Sequence, residues 1–251
     1  MLHPLSQKIK SIKSDLKKSL DSGATPIAAF DADGTLWRRD VGELFFEYQI
    51  HNQLVELPAE PLKYYFDLLK SHSDGRGYLW LAQINKGKSL TQVRAWAKSC
   101  IEEALASSEG FPVFDEQKEL IEFLKSEKVA VYIVSASVKW AVEPAAALFG
   151  IPFENVLGIQ TVIESGKVTD VQAGALTWKP GKVTALKEAC DGRAPFFCSG
   201  NSEGDLSLLQ FASAHRLVIA SALPSESNYP QERRMQDLAK KNGWWNIDYS
   251  E

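Results

Sequence analysis

Short apolar runs that end in small polar residues recur along this chain and predict its strands. The clearest occupy residues 26–30, 129–135, 194–199 and 216–220. Each is almost wholly apolar, which is typical of a strand covered on both faces. From residue 112 onward, helical stretches separate these runs, so strands and helices alternate. This alternation predicts an α/β fold with a mostly parallel sheet and helices on both faces.

A long helical region separates the first predicted strand from the others. Between residue 37 and about residue 110 no strand pattern occurs, and apolar residues recur at helical spacing. Prolines and glycines divide the region into four predicted helices, over 41–55, 59–71, 76–86 and 89–107. We therefore expect an α/β core of residues 1–36 and 112–251, with residues 37–111 as an inserted helical domain.

Three other segments have patterns of their own. Leucines and isoleucines between residues 5 and 20 alternate with lysines at helical spacing and predict an amphipathic helix laid on the core. A membrane-surface or partner helix is the alternative. Residues 156–162 and 168–171 predict a hairpin, and a helix is expected after Pro144. The strand at 216–220 is the last one predicted, and the polar tail from residue 224 is expected to pack on the core.

Composition narrows the classes of function. The net charge of −4 gives no general attraction to nucleic acid. The three cysteines are odd in number and have no CxxC spacing, which favours a reducing compartment and a cytoplasmic location. No apolar run is long enough to span a membrane, and the start of the chain lacks the apolar core of a signal peptide.

The candidate chemistry begins where the first strand ends. Asp31 and Asp33 stand two positions apart, so in an extended segment both side chains point to the same side. Parallel strands end at one edge of a sheet, where α/β proteins place their active sites. Three more polar signals follow strands or open helices: Ser135 with its neighbours, Lys182, and the loop from Asn201 to Asp205.

These four signals together predict a site that handles phosphate. A carboxylate can attack phosphorus, and a second carboxylic acid can protonate the leaving oxygen and then activate water. Oxygen ligands hold Mg²⁺, and a lysine adds a positive charge against the phosphate. A serine hydroxyl and backbone N–H groups at a helix start complete the cradle.

The order of these motifs resembles that of phosphatases of the haloacid dehalogenase-like superfamily. Asp-Ala-Asp-Gly-Thr-Leu at residues 31–36 comes first, then Ser135, Lys182 and the acidic loop. The insertion is similar to the helical cap of the phosphoserine-phosphatase-like branch. The resemblance implies a Rossmann-like core, a cap domain, Mg²⁺ as cofactor and an aspartyl-phosphate intermediate. It also implies a small phosphate ester as the binding partner.

The resemblance also assigns roles to residues. Asp31 would be the nucleophile and Asp33 the general acid and base. Thr35, Ser135 and the amide of Ala136 would bind phosphoryl oxygens. Lys182 would neutralise the nucleophile and the phosphate, with Lys179 as the alternative.

Magnesium would take the Asp31 carboxylate, the Asp33 backbone carbonyl and the acidic loop. That loop departs from the common pattern, because Asn201 stands where an acid is usual. The site thereby loses one negative charge, so we expect Asp205 to be the essential acid and the Mg²⁺ affinity to be reduced.

A further set of candidate residues concerns the leaving group, the part of the substrate other than its phosphate. An acid shortly after the first motif meets the substrate amine in the resembled branch, and Asp40 stands at the matching place. The alternative is that Asp40 only caps the following helix. Arg76 or Arg94 would be the cationic contact of the cap. The many aromatic residues of the insertion are expected to form its core, and an ammonium cage that favours phosphocholine is the alternative.

Two other functions remain open at this stage. Gly200, Ser202 and Gly204 spell the nucleophile elbow of an α/β-hydrolase, which would make Ser202 an esterase nucleophile with His215 as its base. A phosphate-binding module without turnover is the second. The acid at Asp33 favours oxygen leaving groups, which need a proton, and disfavours dehalogenase or phosphonate-cleaving activity.

Overall fold

The computed structural model describes residues 12, 13, 16, 25–72 and 74–249. Its main feature is a six-stranded sheet, with a two-stranded ribbon beside it in the chain. The strands are β1 (Ile27–Phe30), β2 (Ala130–Val138), β3 (Val156–Ile159), β4 (Thr161–Glu164), β5 (Lys167–Gln172), β6 (Phe197–Gly200), β7 (His215–Ala220) and β8 (Trp245–Asp248). The main sheet has the order β3-β2-β1-β6-β7-β8.

Four of the pairings along this sheet are parallel. They are β1 with β2, β1 with β6, β6 with β7 and β7 with β8. Helices separate most of the strands in the chain, as parallel pairing requires. The predicted Rossmann-like α/β fold with a mostly parallel sheet is therefore confirmed.

Nine α-helices lie within the described part of the chain. They are α1 (Val41–His51), α2 (Pro61–Ser71), α3 (Arg76–Gln83), α4 (Leu90–Ala106), α5 (Asp115–Ser126), α6 (Lys139–Ala146), α7 (Pro180–Ala189), α8 (Leu206–Phe211) and α9 (Tyr229–Lys241). The first four correspond to the four helices predicted for the insertion, each a few residues shorter. The shortening lies mainly at the C-terminal ends of α1 and α3, whereas α2 begins later than predicted, at Pro61, and ends at Ser71 as predicted.

By its internal contacts the chain divides into two compact units. One comprises Met1–Arg38, Pro112–Ile133 and Leu186–Glu251, and the other comprises Arg39–Phe111 and Val134–Ala185. All four helices α1 to α4 belong to the second unit. The predicted separation of residues 37–111 as a cap domain stays a prediction.

The core of the first unit lies around β1. All four residues of β1 are buried, as the apolar run predicts. Phe30 at its end packs on Phe197 of β6, with ring centroids 5.2 Å apart. Farther along the sheet, α9 packs on β7 and β8, and its residues Met235 and Ala239 are buried. The end of β1 is thus anchored on well-packed aromatic and aliphatic side chains.

Three sequence predictions are corrected by the structure. The segment 156–162 is not one hairpin strand: it divides at Gln160 into β3, which joins the main sheet, and β4, which pairs antiparallel with β5. The helix predicted after Pro144 begins earlier, at Lys139, and contains the proline. Burial of Trp140 and Val142 on this helix stabilises it by more than the ~3 kcal/mol that an internal proline costs.

The third correction concerns the tail. A further helix and strand, α9 and β8, follow the strand that was predicted to be the last. β8 reads Trp-Asn-Ile-Asp and lies beside β7 at the end of the sheet order among the described strands, so it is an edge strand there. Its alternating polar residues conceal the strand pattern that buried strands show clearly.

The predicted N-terminal helix lies mostly outside the described residues. Of its residues, Ile12 and Leu16 are helical and buried, whereas Lys13 is helical and exposed. No helix within residues 25–72 and 74–249 is long and apolar enough to cross a membrane.

Candidate active site

The acidic turn extends the sheet by one residue before it bends. The Asp31 N–H donates to the carbonyl of Ser199 at 2.9 Å, continuing the ladder between β1 and β6. The Asp31 carboxylate is only 6% exposed, and the Thr35 hydroxyl donates to its Oδ2 at 3.1 Å. Thr35 is itself fully buried. The turn therefore presents Asp31 with one oxygen already oriented by a neighbour.

The bend itself depends on Gly34. Its φ of +75° lies in the left-handed region, which side-chain-bearing residues rarely adopt. The Gly34 N–H donates to the carbonyl of Trp37, and the Thr35 and Leu36 N–H groups both donate to the carbonyl of Ala32. A Cβ on Gly34 would lie 2.1 Å from the side-chain nitrogen of Asn201. A glycine after the two aspartates is thus favoured both by backbone conformation and by the space left beside Asn201.

Asp33 is held by a buried tryptophan. The Trp37 indole N–H donates to Asp33 Oδ1 at 2.7 Å, and Trp37 is fully buried. The two residues also form a β-bridge. A charge-assisted hydrogen bond of this kind fixes the direction of the carboxylate. Sequence reasoning missed Trp37, although an aromatic donor four residues after an acid in a tight turn was the available signal.

The loop after β6 is organised by Asp205. Its Oδ2 accepts hydrogen bonds from the backbone N–H of Asn201 (3.2 Å), the N–H of Ser202 (2.9 Å) and the Ser202 hydroxyl (2.8 Å). Asp205 is fully buried. Gly200 passes so close that a Cβ there would lie 2.5 Å from the Asp205 Cβ. Asp205 therefore fixes the loop that carries Asn201.

Asn201 joins this loop to the acidic turn. Its side-chain oxygen lies 3.5 Å from the Thr35 hydroxyl, which also bonds Asp31. Its side-chain nitrogen donates to Glu232 Oε1 at 2.9 Å. The structure thus brings together Asp31, Thr35 and Asn201, and their roles in binding and catalysis stay predictions. Glu232, on α9, was missed because nothing in a residue 31 positions further along signals its contact.

The serine motif lies in the second unit, and hydrogen bonds hold Ser135 in place there. The Ser135 hydroxyl accepts a hydrogen bond from the Ser137 N–H at 3.0 Å, and Ser135 is buried. The Ser135 carbonyl accepts from the Thr177 hydroxyl at 2.5 Å. An accepting hydroxyl keeps its own proton available for donation, which is what binding of a phosphoryl oxygen requires. Ala136 lies between the two serines and is half-buried.

Of the two candidate lysines, Lys182 is the buried one. It is 2% exposed and lies in the first turns of α7. Lys179 is exposed, and its ammonium group lies 5.0 Å from the centroid of the Trp178 ring. Gly181 makes this turn possible, because a Cβ there would lie 1.7 Å from the carbonyl oxygen of Leu176. The structure favours Lys182 as the lysine held inside the protein.

Asp40 and Arg94, which are predicted to contact the substrate, form hydrogen bonds with other residues of the second unit. Asp40 caps α1, because its Oδ1 accepts from the Glu43 N–H at 2.8 Å. Arg94 makes two hydrogen bonds of 2.7 Å to the two oxygens of Glu143. That pairing is the main cause that raises the pKa of Arg94 above its usual value. The capping role of Asp40 is confirmed, and its contact with substrate remains a prediction.

A family model supplies the identification. Residues 28–210 match the model for haloacid dehalogenase-like hydrolases. The chain belongs to this family. The match contains the acidic turn, the serine motif, Lys182 and the loop around Asp205, so the predicted family is confirmed. No curated protein matches the sequence.

Solved structures share the fold of this haloacid dehalogenase-like hydrolase. A protein of unknown function from Bordetella pertussis Tohama I matches with a TM-score of 0.72 and 17% identity, over 90% of this chain and 100% of that one. A substrate-bound phosphoserine phosphatase matches with a TM-score of 0.53 and 14% identity, over 78% and 86%. A phosphoserine phosphohydrolase-like protein from Francisella tularensis matches with a TM-score of 0.53 and 18% identity, over 89% and 95%. At these identities the likeness establishes the fold.

Strand register rules out the esterase triad in this hydrolase. His215 pairs with Phe197 at the start of β6, whereas Ser202 follows the end of β6 at Gly200. At about 3.3 Å per residue, that places the two side chains at opposite ends of the strands. His215 stacks on Trp245 with centroids 4.6 Å apart, and the Ser202 hydroxyl donates to Asp205. Ser202 therefore holds the loop together through Asp205, and His215 is not placed to act as its base.

Aromatic residues in the insertion of this hydrolase pack mainly on one another. The ring of Trp80 lies 5.4 Å from that of Phe46 and 5.0 Å from that of Tyr64, between centroids. Tyr65 contacts Phe46 edge-on at 5.7 Å and is buried. Such tilted and edge-on pairs are typical of an aromatic core. Phe46 and Tyr65 are buried and belong to the core of the helical insertion, whereas Tyr64 is exposed at its surface.

Proposed function

We propose that this hydrolase is a Mg²⁺-dependent phosphatase that acts on a small phosphorylated metabolite through an aspartyl-phosphate intermediate. The observation that carries the proposal is the acidic turn. Asp31 and Asp33 stand two residues apart after β1, and each carboxylate is oriented by its own donor, Thr35 or Trp37. Family membership and the shared fold with phosphoserine phosphatases support it. One solved neighbour is described as a phospho-aspartyl intermediate analogue of phosphoserine phosphatase.

The donor set suits magnesium. Mg²⁺ prefers oxygen ligands and few protein carboxylates. The carboxylates of Asp31 and Asp205, the backbone carbonyl of Asp33 and the side-chain oxygen of Asn201 are such a set. Among residues 25–72 and 74–249 no group of three His, Cys, Asp or Glu side chains fit to hold a metal is found. The proposed site combines amide and backbone oxygens with its two carboxylates. Bound Mg²⁺ would offset negative charge on the phosphoryl group.

The chain's own residues then perform two displacements. In the first, a carboxylate oxygen of Asp31 attacks phosphorus, and the bond from phosphorus to the ester oxygen breaks. Asp33 gives its proton to that oxygen, which leaves as an alcohol. In the second, the Asp33 carboxylate takes a proton from water, whose oxygen attacks phosphorus. The bond to Asp31 breaks, and inorganic phosphate leaves.

Binding of the phosphoryl group falls to the remaining motif residues. By the family pattern, the hydroxyl of Ser135, the N–H of Ala136 and Thr35 contact its oxygens, and the Lys182 ammonium balances its charge. The order seen around Ser135, whose oxygen accepts from Ser137, supports its role as a donor to phosphate. A buried lysine such as Lys182 is stable when an anion accompanies it.

For the substrate we propose an amine-bearing phosphate ester such as phosphoserine. Asp40 stands where a carboxylate would meet the amine, and the inserted helices of residues 37–111 would select the leaving group. Phosphocholine is the matched comparison, because it carries a quaternary ammonium in place of the primary amine.

The proposal is tested by release of inorganic phosphate from a panel of small phosphate esters that includes both compounds. We expect release with Mg²⁺, none with a chelator, and a loss of at least ~10³-fold for Asp31→Asn, because the amide is a poor nucleophile. Asp237→Asn, a change at an exposed residue of α9, is the matched control and leaves the rate unchanged. Stoichiometric phosphate binding without release would identify a binding module instead, and equal activity of Asp31→Asn would remove Asp31 from the reaction.

A further inference from the structure

The side-chain amide of Asn201 has a fixed orientation. Its nitrogen lies 2.9 Å from Glu232 Oε1, and its oxygen lies 3.5 Å from the Thr35 hydroxyl. A carboxylate only accepts hydrogen bonds, so the NH₂ group must face Glu232. The amide oxygen must then face Thr35 and, through it, the Asp31 carboxylate.

Glu232 is itself held rigidly. It is fully buried in the first turn of α9. Its Oε2 accepts two backbone N–H groups, those of Ser221 at 2.7 Å and Ala222 at 2.8 Å, directly after β7. These two donors fix Oε2, so Oε1 faces Asn201 at 2.9 Å, with the Asn228 side-chain nitrogen farther from it at 3.5 Å. Helix α9 and the end of β7 therefore fix the orientation of the Asn201 side-chain amide, which lies on the loop after β6.

We propose that Glu232 is a positioning residue for the metal site. It turns the oxygen of Asn201 toward Asp31 and supplies, through the hydrogen bond, the negative charge that an asparagine lacks at this place. The proposal rests on the proposed function, since it concerns the same Mg²⁺ site. A flipped amide would present NH₂ donors to a cation and repel it. The pair Asn201 and Glu232 thus supplies the oriented oxygen and the negative charge that an aspartate supplies in the common form of the loop.

The decisive variant is Glu232→Gln, which keeps size and shape. The N–H groups of Ser221 and Ala222 still require an oxygen, so the new NH₂ group takes the place of Oε1 and faces Asn201. Asn201 must then turn its oxygen toward residue 232 and its nitrogen toward Asp31. We expect at least a tenfold weaker Mg²⁺ affinity, measured by calorimetry on the substrate-free protein.

A second substitution should reverse the effect. Asn201→Asp alone places a carboxylate within 2.9 Å of Glu232 and is expected to lower the melting temperature. Asn201→Asp combined with Glu232→Gln gives that carboxylate an NH₂ donor and turns an oxygen toward Asp31. The double variant should therefore bind Mg²⁺ at least as tightly as the unchanged protein. A residue with a purely structural role would show no such reversal.

A matched control is available in the same region. Glu226 also accepts a backbone N–H, that of Leu223 at 2.7 Å, but is exposed. Glu226→Gln should leave the Mg²⁺ affinity unchanged. Circular dichroism on every variant reports folding, and the NMR signals of the Asn201 side-chain NH₂ report the flip without any metal. Loss of their downfield shift in Glu232→Gln is the expected sign.

The outcomes separate the two proposals. Unchanged Mg²⁺ affinity and unchanged Asn201 signals in Glu232→Gln would overturn the positioning role and leave the phosphatase proposal standing. If the unchanged protein binds no Mg²⁺, the proposed function fails. In that case the Asn201 signals still decide whether Glu232 orients the amide. If the double variant binds more weakly than both single variants, the positioning role is wrong.

Discussion

Gly34 meets two separate demands, and a matched pair of glycines tells them apart. Gly34 and Gly166 have nearly the same φ, +75° and +77°. A Cβ on Gly166 would meet nothing within 4 Å, whereas one on Gly34 would lie 2.1 Å from the Asn201 nitrogen. Backbone strain is common to both sites, and the clash is particular to Gly34.

We therefore predict a large difference between two alanine variants. Gly166→Ala should cost about 1 kcal/mol of unfolding free energy, from strain alone. Gly34→Ala should cost about 2–4 kcal/mol, because the Asn201 amide must also move. Denaturant unfolding measures both values. Equal costs would show that Asn201 does not pack against the turn as described.

Trp37 is predicted to act on the reaction through Asp33. Trp37→Phe removes the N–H donor that holds Asp33 Oδ1 and keeps most of the buried volume. We expect kcat to fall about tenfold, the equivalent of ~1.4 kcal/mol, with little change in KM, because Asp33 transfers protons and does not bind the substrate. Trp140→Phe, at another buried indole, is the control for stability. An unchanged kcat in Trp37→Phe would show that this hydrogen bond has no part in proton transfer.

At the scale of elements, α4 and α6 are joined by an ion pair of unequal burial. The Glu143 side chain is 1% exposed and that of Arg94 is 39% exposed. Removing Arg94 takes from the buried carboxylate the cation that bonds both of its oxygens, which is costly. Water at the exposed side of the arginine and the nearby charge of Lys139 reduce that cost. The pair therefore fixes these two helices of the second unit more strongly than surface pairs do.

Arg94→Met should accordingly lower the unfolding free energy by about 2 kcal/mol. Combining it with Glu143→Met should recover most of that loss, because an apolar pair needs no counter-charge. Lys98→Met breaks an exposed pair with Glu102 on the same helix and should cost less than about 0.5 kcal/mol. Thermal or denaturant unfolding checks all three. If the double variant is no more stable than Arg94→Met, the buried charge is not the cause.

Sequence reasoning succeeded where the signal is local. The buried strands ending at Phe30 and Gly200, and the motifs after them, consist of contiguous residues, so the fold class and the place of these motifs at the ends of strands could be predicted. It failed at β8, because an edge strand alternates polar and apolar residues, and at Lys139, because apolar burial there overcomes Pro144. These failures have one cause, because contacts with residues distant in the sequence determine the structure at both places.

At the scale of the whole molecule, the predicted site residues belong to local patterns, whereas the missed ones depend on contacts between distant parts of the chain. Asp31, Asn201 and Asp205 lie in short motifs, and the structure brings Asp31 and Asn201 together through Thr35. Glu232 reaches Asn201 only because β7 and α9 bring it there. A contact between residues that distant in the chain depends on sheet order, which no single motif contains.

The central claim is that Asp31 becomes phosphorylated beside Mg²⁺. A crystal structure of the protein grown with Mg²⁺ and beryllium fluoride, which imitates a phosphoryl group on a carboxylate, tests it without knowledge of the substrate. We predict the fluoride complex on the Asp31 carboxylate, with the metal between that group, the Asp33 carbonyl, and the loop of Asn201 and Asp205. A fluoride complex bound elsewhere, or an Asp31 carboxylate that contacts neither it nor the metal, would contradict the account.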